Sequence, residues 1–171
     1  MGTHGLIGFR ERDYVNKEEW IFLAERTMDG YNAKDVFEDI VETILKDARR
    51  VRRRIREWIW AWIDNCNAEY EYVKIEPSKK RMFIYSEREH DQEYVVLVDV
   101  INRTILISNV EYQIGIDKLC EYQRKLRKKK WHIEFGYDTE DLMAHEERVA
   151  YLAALYPSHY KTDWKVELYR P

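Results

Sequence analysis

The sequence predicts an α+β fold: an antiparallel sheet of five to six strands, with one long helix and two to three shorter helices packed mainly on one face. Three observations carry that prediction. Apolar residues recur every three or four positions between Phe37 and Trp62, and every second position after Asn67. Only three Pro and six Gly interrupt 171 residues, so most of the chain has a regular backbone available to it.

Hydrophobic residues make up 45 % of the chain and include six Trp and thirteen Tyr. Disordered sequences lack that core material. A chain of this length buries roughly two-thirds of its unfolded surface, and no repeat, linker or low-complexity tract divides it. The expectation is one domain over residues 1–171.

Taken in order, residues 4–10 (HGLIGFR) are short, apolar and glycine-flanked, and read as a strand. Asn16 followed by Glu19 has capping-box spacing, and Trp20, Leu23, Ala24 and Thr27 follow at helical intervals, so a first helix is expected that ends at Gly30. The second helix, 33–65, has the strongest signal. Phe37, Ile40, Ile44, Ala48, Val51, Ile55, Trp58 and Trp62 form an unbroken seam. Acids crowd its start and bases its later part, as the helix dipole favours. At ~1.5 Å per residue it reaches nearly 50 Å, so it either bends or meets a partner.

Residues 69–75, 81–86, 94–101 and 104–110 read as an antiparallel meander of four strands, with turns at 76–80 and at Asn102-Arg103. A third helix is expected over 117–130 and a strand over 131–135. A fourth helix follows, capped by Asp138 or Thr139 and stopped by Pro157, and 164–169 closes the chain as a strand.

Several chemistries find no support. Cys66 and Cys120 are too few for a disulfide framework and lack CxxC spacing, so both read as reduced, packed thiols. The start has neither the basic nor the apolar region of a signal peptide, Leu6 breaks the myristoylation pattern after Gly2, and no window approaches a membrane span. A cytoplasmic protein without cofactor is expected. There is no P-loop, no GxSxG elbow and no dinucleotide glycine pattern, so no catalytic residue is assigned. His132 and Glu134 share one face of a predicted strand, but two ligands do not make a metal site, and His145 completes one only if the fold brings it close.

Charge is the distinctive feature. Residues 46–56 carry seven basic groups and Asp47, a net of +6, and 124–130 carry six basic groups with no acid, again +6. The overall charge is −3, which leaves −15 for the rest. On the long helix Lys46, Arg49, Arg53, Arg56 and Trp60 lie opposite the apolar seam. Arg124, Arg127 and Lys128 belong to the second cluster, at a helix C-terminus. These eight residues are the candidate macromolecular contacts. Each cluster also has a plainer reading, as a solvated face neutralised by neighbouring carboxylates.

The opening Met1-Gly2-Thr3-His4-Gly5-Leu6-Ile7-Gly8-Phe9 resembles the start of a loosely defined group of uncharacterised phage, bacterial and fungal proteins that begin MGT(R/H)GxxGF. The resemblance covers nine residues and implies a phage or mobile-element origin. The histidine-containing stretch that follows in that group is replaced here by ERTMDGYN at 25–32, and no functional residue carries over. The functional expectation is a non-enzymatic protein-binding module, an inhibitor of a host defence system among the candidates. The alternative is a nucleic-acid-binding protein using the basic face of helix 33–65.

Overall fold

A computed structural model describes residues 4–13, 15, 17–66, 68–75 and 94–135. Within them the order is β1 (Gly5–Arg12), β2 (Glu19–Arg26), α1 (Ala33–Asp47), α2 (Val51–Cys66), β3 (Glu69–Ile75), β4 (Tyr94–Asp99), β5 (Thr104–Ser108), α3 (Val110–Ile114), α4 (Ile116–Lys128) and β6 (His132–Phe135). The fold is α+β, built on a six-stranded sheet in the order β3-β2-β1-β4-β5-β6.

The sheet is mixed, not antiparallel as expected. The pairs β1–β2, β2–β3 and β4–β5 run antiparallel, while β1–β4 and β5–β6 run parallel. The second parallel pair has a direct cause. Helices α3 and α4 cross over between β5 and β6, and such a crossover returns the chain to the end from which it started. The predicted strand 81–86, helix 138–157 and strand 164–169 lie outside the described residues.

The helix expected before Gly30 is strand β2. Its core, Trp20-Ile21-Phe22-Leu23-Ala24, is an unbroken apolar run, and helical spacing can be picked out of any such run. As a strand it sends Phe22 and Ala24 to the helix-covered core, and Ile21 and Leu23 to a second cluster with Leu6, Val95 and Leu97 on the opposite face. Both faces are buried, so the alternation of a half-exposed strand is absent. Gly30 terminates no helix. A Cβ there would sit 2.3 Å from the His4 carbonyl carbon, and one on Gly5 would sit 2.7 Å from the Gly30 Cα, so these two backbones touch directly.

The spine predicted over 33–65 is helical almost throughout, but its direction reverses. Asp47 is extended (φ −158, ψ 100), its carboxylate accepts the Arg49 N–H at 3.1 Å, and a 3-10 turn, Ala48–Arg50, leads into α2. Indole Nε1 of Trp62 then donates to Asn32 Oδ1 at 3.2 Å, and that of Trp58 donates to Asp39 Oδ2 at 2.6 Å. In one straight helix residues 32 and 62 would stand roughly 45 Å apart. The excess length is therefore folded back on itself, and Phe37, Ile40, Ile44, Val51, Ile55, Ile59 and Trp62 are all buried.

Asp39 fastens this hairpin, since Arg54 Nε donates to the same carboxylate oxygen as the Trp58 indole. Asp39→Ala is expected to cost about 2 kcal/mol by stranding both donors. Urea unfolding checks this, with Glu42→Ala, at an exposed position of the same helix, as the comparison.

Helix α2 packs on β1 and β2, α1 on β1 and β4, and α4 on α1 and β6. Among the described residues no helix packs closely on β3, and Tyr70 and Tyr72 on its helix-side face stay half open to solvent.

Candidate interaction surface

The arginines of α2 and of the turn before it each have a carboxylate partner in the chain, some buried and some at the surface. Arg49 is 91 % exposed, but its guanidinium grips Asp47 at 3.0 Å. Arg53 is 87 % exposed and lies 3.4 Å from Glu57. Arg54 is held by Asp39 and by Glu57. Arg56, expected on the outer face, turns inward: it reaches Glu11 of β1 at 3.3 Å and covers the Phe9 ring at 5.5 Å. Arg52 pairs with the same glutamate. Lys46 is exposed at the end of α1.

Glu11 is thus a buried carboxylate shared by two arginines and by the hydroxyl of Tyr72. Burial, reinforced by that bond to a carboxylate, pushes the Tyr72 hydroxyl up to about 12. It stays protonated and donates at any physiological pH, which ties β3 to β1 across β2.

Trp60 was the residue that the seam left without a structural role. Its ring is 48 % exposed and sits 5.7 Å from Phe22 and 6.1 Å from Tyr70. Tyr72 lies 5.4 Å from Phe22 and 5.0 Å from Trp20. Five rings from α2, β2 and β3 therefore form one continuous patch, in which Tyr70 (59 %) and Tyr72 (43 %) are also open to solvent. A cavity of about 610 Å³ adjoins it, bounded by Arg52, Arg53, Arg56, Glu57, Trp60 and Asp64 among others. Tyr70 and Tyr72 were not among the expected contacts. Their spacing of two puts them on one face of a strand, but only the register Phe22↔Tyr72 and Ala24↔Tyr70 brings them to Trp60.

The second basic cluster does not join this patch. Arg124, Arg127 and Lys128 are exposed along α4, with α1 standing between that helix and α2. His132 and Glu134 do share a face: Nε2 and Oε1 are 3.3 Å apart, and Thr104 Oγ1 lies 3.0 Å from the same nitrogen. His145 lies outside the described residues. Among the described residues no three His, Cys, Asp or Glu side chains are grouped to hold a metal ion, and no helix is long and apolar enough to cross a membrane.

A buried ionic cluster that the sequence did not signal lies on the opposite face of the sheet. Arg10, 2 % exposed, bridges Glu19 on β2 and Asp99 at the end of β4, and Arg12 also reaches Glu19, at 2.9 Å. Asp99 in addition accepts the N–H groups of Ile101 and Asn102 at 3.0 and 2.9 Å, closing the β4–β5 turn. Burial pushes the Asp99 carboxyl up, and these bonds and Arg10 only partly offset it.

Burial also acts to raise the Glu19 carboxyl, but hydrogen bonds and charge from Arg10 and Arg12 outweigh it and hold it below its ordinary value of 4.5. A lowered folded value means stability that is present above the ordinary value and lost as pH falls through the lowered one. Glu19→Gln is expected to be less stable at neutral pH and to decline less than the parent between about pH 5 and 3. Urea unfolding at each pH checks this, and parallel declines would count against it.

Comparison with protein-family models, with curated proteins and with solved structures finds no match for the chain.

Proposed function

We propose that this chain is a non-enzymatic protein-binding module whose contact surface is the ring patch of Trp60, Tyr70 and Tyr72, rimmed by Arg53. The observation that carries the reading is the patch itself: three half-open aromatic rings, brought together by a helix and a strand around Phe22. Trp, Tyr and Arg supply most of the binding energy of protein interfaces, and a contiguous exposed apolar patch on a folded domain marks such a site. A host defence component as the partner belongs to the same proposal and rests on the origin implied by the nine-residue opening.

The nucleic-acid alternative has less support. A phosphate track needs uncompensated cations along its length, whereas Arg52, Arg54 and Arg56 are held by Glu11, Asp39 and Glu57.

The test uses the full chain and a Trp60→Ala/Tyr70→Ala variant, side by side, as baits in an extract of the native host. The variant is expected to unfold within about 1–2 kcal/mol of the parent, since the rings it removes are half-exposed. It is also expected to lose its partner by about 30-fold or more per ring, the scale of an interface hot spot. Identical capture by both baits would overturn the reading. Affinity for single- or double-stranded DNA or RNA that falls steeply with salt and is weakened by Arg53→Glu would establish the alternative instead.

A further inference from the structure

The helical hairpin leaves a cleft of about 420 Å³ between the end of α1 and the start of α2. Four cations line it, Lys46, Arg50, Arg53 and Arg54, against two carboxylates, Asp47 and Glu57, a surplus of two positive charges. The groups just outside do not change that surplus, because Asp39 engages Arg54 while Arg49 engages Asp47.

Internal partners satisfy only part of the lining. Arg54 is fully engaged, by Asp39 and by Glu57 at 2.8 Å. The Asp47 carboxylate is occupied by the Arg49 side chain at 3.0 and 3.3 Å and by the Arg49 N–H. Arg50 is therefore left with one long contact, 3.9 Å to Asp47, and Arg53 with one of 3.4 Å to Glu57, at 80 % and 87 % side-chain exposure. Ion pairs that open to solvent hold little. Among the described residues Lys46 has no ion-pair partner. Like charges one helical turn apart repel, so the fold itself gains nothing from Arg50 beside Arg53.

We propose that this cleft binds a phosphate monoester. Such a group carries nearly two negative charges at neutral pH and three acceptor oxygens, which matches a surplus of two presented by two arginine forks and one lysine. A lone carboxylate would leave one cation uncompensated. An extended polyanion fits worse, because the cationic surplus stops at the cleft: further along α2, Arg52 and Arg56 are held by Glu11, and Asp64 follows. The site shares Arg53 and Glu57 with the rim of the ring patch but none of its rings, so Trp60→Ala/Tyr70→Ala should leave phosphate binding intact and Lys46→Ala/Arg50→Ala should leave the rings intact.

The experiment is an amide chemical-shift titration of the full chain with inorganic phosphate, at constant ionic strength maintained with chloride. Saturable shifts confined to residues 43–57 are expected, with a Kd on the order of millimolar. Lys46→Ala/Arg50→Ala should weaken binding by roughly tenfold or more, and Arg50→Lys by less, because it keeps the charge but not the fork. Arg124→Ala/Lys128→Ala, in the other basic cluster, should leave it unchanged. All of these side chains are exposed, and the spectrum itself reports whether each variant is folded. A phosphoserine peptide and a sugar phosphate, titrated in the same way, separate a protein-borne monoester from a small-molecule one, the tighter of the two naming the source. Shifts that fail to saturate, or a Kd that is the same in the Lys46→Ala/Arg50→Ala variant, would overturn the proposal.

Discussion

Arg10→Ala is expected to destabilise the fold by about 3–5 kcal/mol, the largest effect of any single charge removal in the described residues. The guanidinium is 2 % exposed and is shared by two carboxylates, Glu19 and Asp99, themselves 5 % and 1 % exposed. Deleting it leaves two buried negative charges facing each other across β1, with Arg12 remaining for Glu19 and the turn N–H groups for Asp99. Replacing the whole set by apolar groups would cost far less than removing one member, because the penalty lies in the orphaned charge. Glu19→Gln added to Arg10→Ala should therefore recover part of the loss, a non-additivity that denaturant unfolding of the two single variants and the double variant measures directly. An Arg10→Ala variant within about 1 kcal/mol of the parent would show that the cluster is solvated and does not hold the strands together.

Gly30→Ala should be comparably damaging, about 3 kcal/mol or more, for a purely steric reason. The added Cβ would lie 2.3 Å from the His4 carbonyl carbon and 2.5 Å from the Gly5 nitrogen, the backbone atoms of the peptide that leads into β1 at the inside of the sheet. Side chains can rotate away from a new methyl group, but a hydrogen-bonded strand cannot. Gly115→Ala supplies the contrast, because that glycine has φ +89 with nothing within 4 Å of a built Cβ. Its cost should be conformational only, about 1 kcal/mol. Thermal or urea unfolding of both variants tests the difference.

How far the fold could be read from the residues depended on whether local pattern was enough. The seam from Phe37 to Trp62 named the buried face of both spine helices because side chains three or four apart share a face wherever the helix points. The reversal at Asp47 was invisible, since one acid in a basic run carries no signal for an extended backbone, and only the excess length hinted at it. Strand β2 was misread because burial on both faces erases the period that separates strand from helix. The parallel pairing of β1 with β4 had no local trace at all. The site divided in the same way. Trp60 was legible as the one tryptophan of the cluster outside the seam, whereas the neutralisation of Arg56 depends on Glu11, 45 positions earlier, and the patch depends on the register of β2 with β3.

That parallel pairing also bears on how the protein is made. Strand β1 lies inside the sheet, yet one of its two neighbours is encoded 89 residues downstream, the separation of Arg10 from Asp99. A ribosome needs on the order of 5 to 20 seconds to add that length. Through that interval the nascent chain can build β1, β2, the helical hairpin and β3, but the flank of β1 that will receive Tyr94–Asp99 stays unpaired, with Leu6, Ile7 and Phe9 along it. An open apolar strand edge is a template for association with other chains. A polypeptide released before β4 is complete therefore keeps an unpaired apolar strand edge, which only β4 closes.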